Sequence, residues 1–397
     1  MLRLPDWRDA YVRGVRVFLR VDFNVPVEKG KVKNDFRLRM TIPTLTELRV
    51  RGARLVVASH LGRPKGKRVK SLSLQPIAKA LQELLDYPVR FVDDIAGEQA
   101  YRLSLKLKDG EIMLLQNLRF DEGEEKNDEG FAKRLARLAD IYINDAFGTL
   151  HRRHASVCAI TKFLPSYAGP LVLKETEVLM RVRTEPDRPL AAVFGGAKVA
   201  DKIGLIRQFL KTADVVLIGG AMAYTFLAAK GVGVGKSRVM KEYLEEAKET
   251  LEEARRIGRV VALPEDHIAA SSFSPDAEPV LCRREIPKDL LGLDIGPKTV
   301  DRFSSLLRGA KMVLWNGPMG VFEWERFSEG TAGIARAIGR LRAYSVICGG
   351  DTIAAVERYG NIDRFSYVST GGGAALQFLQ NPHLPGISAL LERRNIE

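Results

Sequence analysis

Two of the chain's five histidines, His151 and His154, flank a pair of arginines in "NDAFGTLHRRHAS" (144–156), directly after the apolar run "LADIYI". A third, His60, sits with Arg63 in "SHLGRP" (59–64), again just after an apolar run. Arg119 lies in "NLRF" (117–120) and Arg37 in "NDFRLR" (34–39). Arginine presents a planar fork of donors that matches carboxylate and phosphate oxygens. Arg37, Arg63, Arg119 and Arg152, brought together with the histidines, would receive a small, multiply charged anion. Taken alone, His60 reads equally well as a structural histidine.

The second half offers different chemistry. Gly195-Gly196, Gly219-Gly220, Gly349-Gly350 and Gly371 to Gly373 each precede a predicted helix. Glycine lets a ligand approach the backbone closely, and a helix amino terminus presents free N–H groups to phosphate. "GGAKVADK" (195–202) adds Lys198 and Lys202, and "GGDT" (349–352) adds Asp351. Asp351 either caps a helix or contacts Mg²⁺. The segment "GVGVGKS" (231–237) imitates a Walker A loop, but that motif requires glycine where Lys230 stands, so it reads as a helix-ending loop. No G-x-G-x-x-G follows the first predicted strand, so a dinucleotide fingerprint is missing.

The elements that position these clusters share one pattern. A short β-branched apolar run ends in glycine or small polar residues, and an amphipathic segment follows. "RVFLRVDFN", "RLVVASHLGRP", "IMLLQNLRF" and "IYINDAFGT" show it in the first half. "LAAVFGGAK", "VVLIGGAM", "MVLWNGPMG", "YSVICGGDT" and "FSYVSTGGG" show it in the second. Continuous apolar runs predict strands buried on both faces, and alternation with helices predicts parallel sheets. Ligands of such sheets bind outside the carboxyl ends of the strands, which is where the charged and glycine-rich clusters fall. A proline- and glycine-marked break at 164–189 carries one helical pattern between Pro170 and Pro186. The expected fold is α/β: two doubly wound, Rossmann-like parallel-sheet domains joined by a helical hinge, with a cleft between them. "RPKGKRVKS" (63–71) and "DEGEEKNDE" (121–129) read as solvated loops.

Composition narrows the function. A chain of 397 residues suggests two domains. Net charge is +13, and residues 1–170 hold 31 Lys and Arg against 21 Asp and Glu. A basic amino-terminal half implies an anionic partner. Three separated cysteines without CxxC spacing argue against a disulfide framework or zinc site and suit a reducing cytosol. No secretory signal opens "MLRLPDWRDA", and no apolar run reaches the roughly 20 residues of a membrane span. A basic anion site together with a glycine-rich, lysine-bearing nucleotide site suits phosphoryl transfer, which needs in-line positioning, cations and exclusion of water.

The chain resembles the phosphoglycerate kinase family over nearly its full length. The resemblance rests on "RVDFNVP" (20–26), "SHLGRP", "NLRF", "NDAFGT-HR" (144–152), "GGAKVADKI" (195–203), "GLDIGPKT" (292–299), "WNGPMGVFE" (315–323), "GGDT" and "STGGGA" (369–374). It implies reversible, Mg²⁺-dependent phosphoryl transfer between 1,3-bisphosphoglycerate plus ADP and 3-phosphoglycerate plus ATP. By this resemblance Asp22, Phe23, Asn24, His60, Leu61, Gly62, Arg63, Arg119, His151 and Arg152 hold 3-phosphoglycerate. Arg37 and Lys198 serve the transferred group. Gly196, Ala197, Lys202, Gly219, Gly220, Gly292, Asn316, Pro318, Glu323, Gly349, Gly350, Asp351 and Thr352 hold the nucleotide, with Glu323 on the ribose and Asp351 nearest the metal. The implied domains are 1–169 plus about 386–397 for 3-phosphoglycerate, 170–188 as hinge, and 189–385 for nucleotide. Gln116, Leu150, Arg153 and Ala221 depart from the family's usual residues without removing a charged role; Arg153 adds a cation or faces solvent.

The expectation is a cytoplasmic, monomeric glycolytic enzyme with no nucleic-acid or membrane partner. The acceptor carboxylate is already ionised, so neither a general base nor a covalent intermediate is expected. Two rival readings are a basic nucleic-acid-binding protein and a nicotinamide-dependent dehydrogenase. Arginines at strand ends, rather than along one exposed helix, disfavour the first; the missing glycine fingerprint disfavours the second.

Overall fold

The computed structural model describes residues 2–392. The chain divides into two compact units, residues 1–177 with 381–397, and residues 178–380. The 15-residue helix Pro170–Thr184 begins in the first and ends in the second. Helix Pro385–Glu392 belongs to the first unit, where Gly386 N donates to the Leu150 carbonyl at 2.9 Å. Of the segment 386–397 expected in that domain, residues 393–397 lie outside the described residues.

The first unit is built on strands β1 (Arg16–Arg20), β2 (Arg54–Ala58), β3 (Val89–Val92), β4 (Ile112–Leu115), β5 (Ile141–Asn144) and β6 (Ser166–Ala168). They form one parallel sheet in the order β3-β4-β2-β1-β5-β6. The runs VFL, LVVA and IMLL are wholly buried, as strands covered on both faces require. Flanking helices supply the cover. In helix Gln75–Leu85, Ile77, Ala78 and Leu81 fall on one buried face. After β4 the chain crosses to the other side of β1, so the strand order reverses beside β1, the place where open sheets form a crevice.

The second unit repeats the plan. Strands β7 (Leu190–Phe194), β8 (Val215–Ile218), β9 (Val260–Ala262), β13 (Met312–Asn316), β14 (Tyr344–Cys348) and β15 (Tyr367–Val368) form a parallel sheet ordered β9-β8-β7-β13-β14-β15. Here the reversal lies beside β7. Strands β10 (Asp266–Ala270), β11 (Val280–Arg283) and β12 (Leu291–Ile295) form a separate antiparallel sheet ordered β11-β10-β12. No helix among the described residues is long and apolar enough to cross a membrane.

Candidate functional site

In the first unit the segments after β1, β2, β4 and β5 carry the charged clusters, all at the carboxyl edge of the sheet and grouped around the reversal. Asp22 follows β1. Its Oδ1 accepts from Asn24 N at 3.1 Å, and its Oδ2 accepts from Arg37 Nη1 at 2.9 Å. Arg37 Nη1 also donates to the Asn24 carbonyl at 3.2 Å, so Arg37, in the first turn of helix Phe36–Val50, is drawn onto the β1 loop. Asn24 Oδ1 in turn accepts from Gly62 N at 2.9 Å, tying that loop to the one after β2. Gly62 has φ 61°, a left-handed conformation that glycine adopts without strain, and a Cβ there would lie 2.7 Å from Leu72 Cδ2.

Asn117, which the sequence reading did not single out, organises the same wall. Its Oδ1 accepts from Leu61 N and Arg119 N, and its Nδ2 donates to the Leu61 and Leu72 carbonyls at 2.8 and 2.9 Å. Arg119 Nη1 donates to the Gly62 carbonyl at 2.7 Å, with Nε 3.4 Å from Glu125 Oε1. Arg63 is exposed, Arg152 half-buried, and neither makes an ion pair with the described residues. Arg153 is exposed. Phe23 and Leu61 point into the hydrophobic core, which leaves only their backbone for a ligand.

The positive charge of the wall comes from its guanidiniums and not from His60 or His151. Burial and the neighbouring Arg20, Arg119 and Arg37 hold His60 well below the usual imidazole range. Burial and Arg152 pull His151 down to about 4. Both rings are therefore neutral at pH 7. Arg119, desolvated and beside Arg152, falls to about 10 and stays charged.

Residues 121–129 are not the solvated loop their charges suggested. They contain helix Glu122–Lys126 and start helix Glu129–Ala136, with Asp121 and Asp128 as amino-terminal caps. Glu124 is wholly buried. Its carboxylate accepts from the Ser156 backbone N and Oγ at 2.9 and 2.6 Å, and His154 Nδ1 lies 3.6 Å from Oε1.

In the second unit the loops after β7, β8 and β13 are laced together. Gly195 N donates to the Asn316 carbonyl at 2.9 Å, Gly196 N to Pro318 at 2.7 Å and Gly220 N to Met319 at 2.9 Å. A Cβ at Gly195 would lie 2.1 Å from the Pro318 carbonyl oxygen, and one at Gly219 2.4 Å from Met319 Sδ. These two glycines thus permit loop-on-loop packing. At Gly350, by contrast, a Cβ would meet nothing within 4 Å, so that backbone is open. Thr352 Oγ1 accepts from Gly317 N at 2.7 Å and donates to the Cys348 carbonyl at 2.8 Å, joining the β13 and β14 loops. Asn316 Nδ2 donates to the same carbonyl at 2.7 Å. Lys202 Nζ donates to the Gly195 and Asn316 carbonyls at 2.5 and 3.3 Å. Its burial lowers its pKa to about 8, against the pull of Asp351 and Asp201.

Above this lacing lies a pocket of about 440 Å³, within the range of small-molecule sites. Gly196, Ala197, Gly220, Gly292, Pro318, Glu323 and Asp351 line it. Gly292 is required by its floor, since a Cβ there would lie 2.0 Å from the Tyr224 hydroxyl. Lys202, Gly219, Asn316, Gly349, Gly350 and Thr352 are not among its lining; of these, Lys202, Asn316 and Thr352 brace the loops. Lys198 is exposed and makes no ion pair with the described residues. The pocket also takes Arg238, Phe273, Leu291, Leu293 and Phe322, none of which stood out in the sequence. Phe273 is 66% exposed, and its ring centroid lies 4.5 Å from that of Trp324. "GVGVGKS" follows helix Ala223–Ala229, with Gly231 at φ 79°, and Ser237 Oγ accepts from Gly292 N at 2.9 Å.

Asp351 does not cap its helix. It lies in the first turn of Gly350–Tyr359, behind the cap position at Gly349, with its side chain exposed and no capping hydrogen bond. No group of three or more His, Cys, Asp or Glu placed to hold a metal occurs among the described residues. A single exposed carboxylate fits Mg²⁺ that arrives on nucleotide phosphates and keeps its waters, and does not fit an all-protein metal cage.

The family profile "Phosphoglycerate kinase" matches residues 7–381. The phosphoglycerate kinase of Anaeromyxobacter dehalogenans is 50% identical over 399 residues, covering 98% of this chain and 100% of that protein. That of Leptospira biflexa is 45% identical over 393 residues, with 99% of each covered. The solved phosphoglycerate kinase of Coxiella burnetii superposes with a TM-score of 0.87 at 38% identity, covering 98% of this chain and 100% of that one. The chain belongs to the phosphoglycerate kinase family and, like that family, is an enzyme that transfers phosphoryl groups.

Proposed function

We propose that the enzyme transfers a phosphoryl group reversibly between 1,3-bisphosphoglycerate and ADP, giving 3-phosphoglycerate and ATP, as a step of glycolysis and gluconeogenesis. The observation that carries this reading is the division of chemistry between the units. A guanidinium wall with neutral histidines edges the first sheet, and a nucleotide-sized pocket over interlocked loops edges the second. Arg63, Arg119 and Arg152 take the phosphate and carboxylate of the acid, and His60 and His151 serve as hydrogen-bonding groups. The nucleotide enters the second pocket with Glu323 toward its ribose and its phosphates toward Gly196, Lys202 and Asp351. Mg²⁺, carried on the nucleotide phosphates beside Asp351, supplies charge neutralisation when bound.

The transferred group passes in line from one oxygen to the other, and no enzyme group takes it up. The 3-phosphoglycerate carboxylate is ionised at pH 7, so no proton must be removed. That suits His60 and His151, whose environments disfavour proton uptake. Arg37 and Lys198 place fixed positive charge on the moving group, the arrangement that stabilises a phosphoryl-transfer transition state most. Reaction therefore requires the acid-bearing and nucleotide-bearing walls to be brought together on closure, away from water. The test is to supply 3-phosphoglycerate, MgATP, NADH and glyceraldehyde-3-phosphate dehydrogenase: NADH absorbance falls if the reading holds. A flat trace with active coupling enzyme contradicts it.

A further inference from the structure

Beneath the first wall runs a chain of buried polar groups that the proposed reaction does not use directly. Arg20 ends β1 and is wholly buried, as is Glu124. Ser156 joins them: its Oγ accepts from Arg20 Nε at 2.9 Å and donates to Glu124 Oε1 at 2.6 Å. Arg20 Nη1 donates to the Val21 carbonyl. The Ser156 carbonyl is held by the Tyr142 hydroxyl at 2.7 Å, and that hydroxyl by Asn144 Nδ2, also at 2.7 Å. Glu124 lies opposite the Arg20 guanidinium across Ser156, and His154 Nδ1 also lies 3.6 Å from Glu124 Oε1. Burying either charge without the other is strongly unfavourable.

The free end of this network meets the wall. Arg20 Nη2 lies 3.3 Å from His60 Nδ1. A guanidinium has five N–H donors and no acceptor, so the histidine nitrogen facing it must offer a lone pair. Asp22 Oδ1, the carboxylate oxygen closest to the same nitrogen, is 4.0 Å away, beyond hydrogen-bond reach. We infer that Arg20, clamped by Ser156 and Glu124, locks His60 as the neutral tautomer with its proton on Nε2, so that the ring offers the substrate wall one N–H donor of fixed direction. Arg20, Ser156 and Glu124 are on this account positioning residues. The inference rests on the proposed 3-phosphoglycerate site only for its functional consequence.

The test is a ¹⁵N–¹H spectrum of the whole enzyme labelled in histidine, at neutral pH and without ligand, with His60 assigned by its loss in His60→Gln. The expected result is a pyridine-type Nδ1 and a pyrrole-type Nε2 for His60. A protonated Nδ1, a doubly protonated ring or averaged shifts would overturn the inference, whatever the catalytic result. In Arg20→Met the His60 shifts should move toward averaging. KM for 3-phosphoglycerate should rise about tenfold, the size of one lost hydrogen bond, with KM for MgATP unchanged. Unmoved His60 shifts in a folded Arg20→Met would also overturn it. If wild-type enzyme shows the expected tautomer yet fails to bind 3-phosphoglycerate, the site reading fails and the tautomer lock stands.

Discussion

Arg37 Nη1 sits 2.9 Å from Asp22 Oδ2, in a partly buried ion pair that pins a helix side chain to the loop after β1. Arg37 is therefore held in the wall before any substrate arrives, and Asp22 is what aims it. Asp22→Asn keeps the size and removes the charge. We expect kcat to fall about tenfold, a loss of the order of one charge-assisted hydrogen bond, and KM for 3-phosphoglycerate to change as well. Steady-state kinetics check this, and wild-type constants in the variant would show that Asp22 does not aim Arg37.

Lys198 stands apart from the packing. It is exposed and unpaired among the described residues. Lys198→Ala should lower kcat by about 10²- to 10³-fold, the scale of losing a preorganised charge at a transition state. The melting temperature should barely move, because exposed positions of this kind usually change stability by less than about 0.5 kcal/mol. Intact turnover in a folded variant removes Lys198 from the mechanism.

Arg63 and Arg119 separate binding from stability. Arg63 is exposed and makes no ion pair among the described residues, so Arg63→Ala should chiefly raise KM for 3-phosphoglycerate while leaving the melting curve unchanged. Arg119 also holds the Gly62 carbonyl and faces Glu125 from a buried position. Arg119→Ala should raise KM and also destabilise, by about 1–3 kcal/mol for the carbonyl left unsatisfied. Equal melting temperatures for the two variants would contradict the distinction.

How far these roles were legible depends on what surrounds each residue. The parallel strands announced themselves because "RLVVA" and "IMLL" are continuous apolar runs, and the charged clusters could be placed because they follow such runs directly. The antiparallel sheet was not visible: β11 is mostly exposed, with only Cys282 buried, so it has neither a buried run nor a clean alternation. Glu124 was misread because a charge in an acidic stretch looks solvated in a linear sequence. Only the fold sets Ser156, 32 residues away, against it. Phe273 and Arg238 escaped notice because separate loops assemble the nucleotide-sized pocket and neither residue has a polar cluster beside it. Asp351 could be placed at a helix start, but its offset from the cap is a matter of one or two residues that propensity does not resolve.

His267 gives the fold an acid-labile point. It is buried in β10 with its ring centroid 5.6 Å from that of Tyr224, and burial lowers its pKa below 6.5. The native state thus prefers the neutral ring. As pH falls below 6.5 the unfolded chain takes up the proton first, and stability is lost until the lowered native value is passed. His267→Phe should melt progressively higher than wild type between pH 7.5 and pH 5, relative to their difference at pH 7.5. Parallel melting curves across that range would contradict it. Asp145 works in the opposite sense. Burial raises its carboxyl to about 6, so its ionisation costs stability as pH rises from about 4 toward 6. Comparison within the His267 pair cancels that contribution.

The assignment of one substrate to each unit is tested most directly by isotope-labelled spectra of the whole enzyme, titrated separately with 3-phosphoglycerate and with MgADP. The acid alone should shift resonances of His60, Arg119 and His151, and MgADP alone those of Gly292, Glu323 and Asp351. An acid that leaves the first set unmoved, or MgADP that perturbs the first set and spares the second, would contradict the assignment.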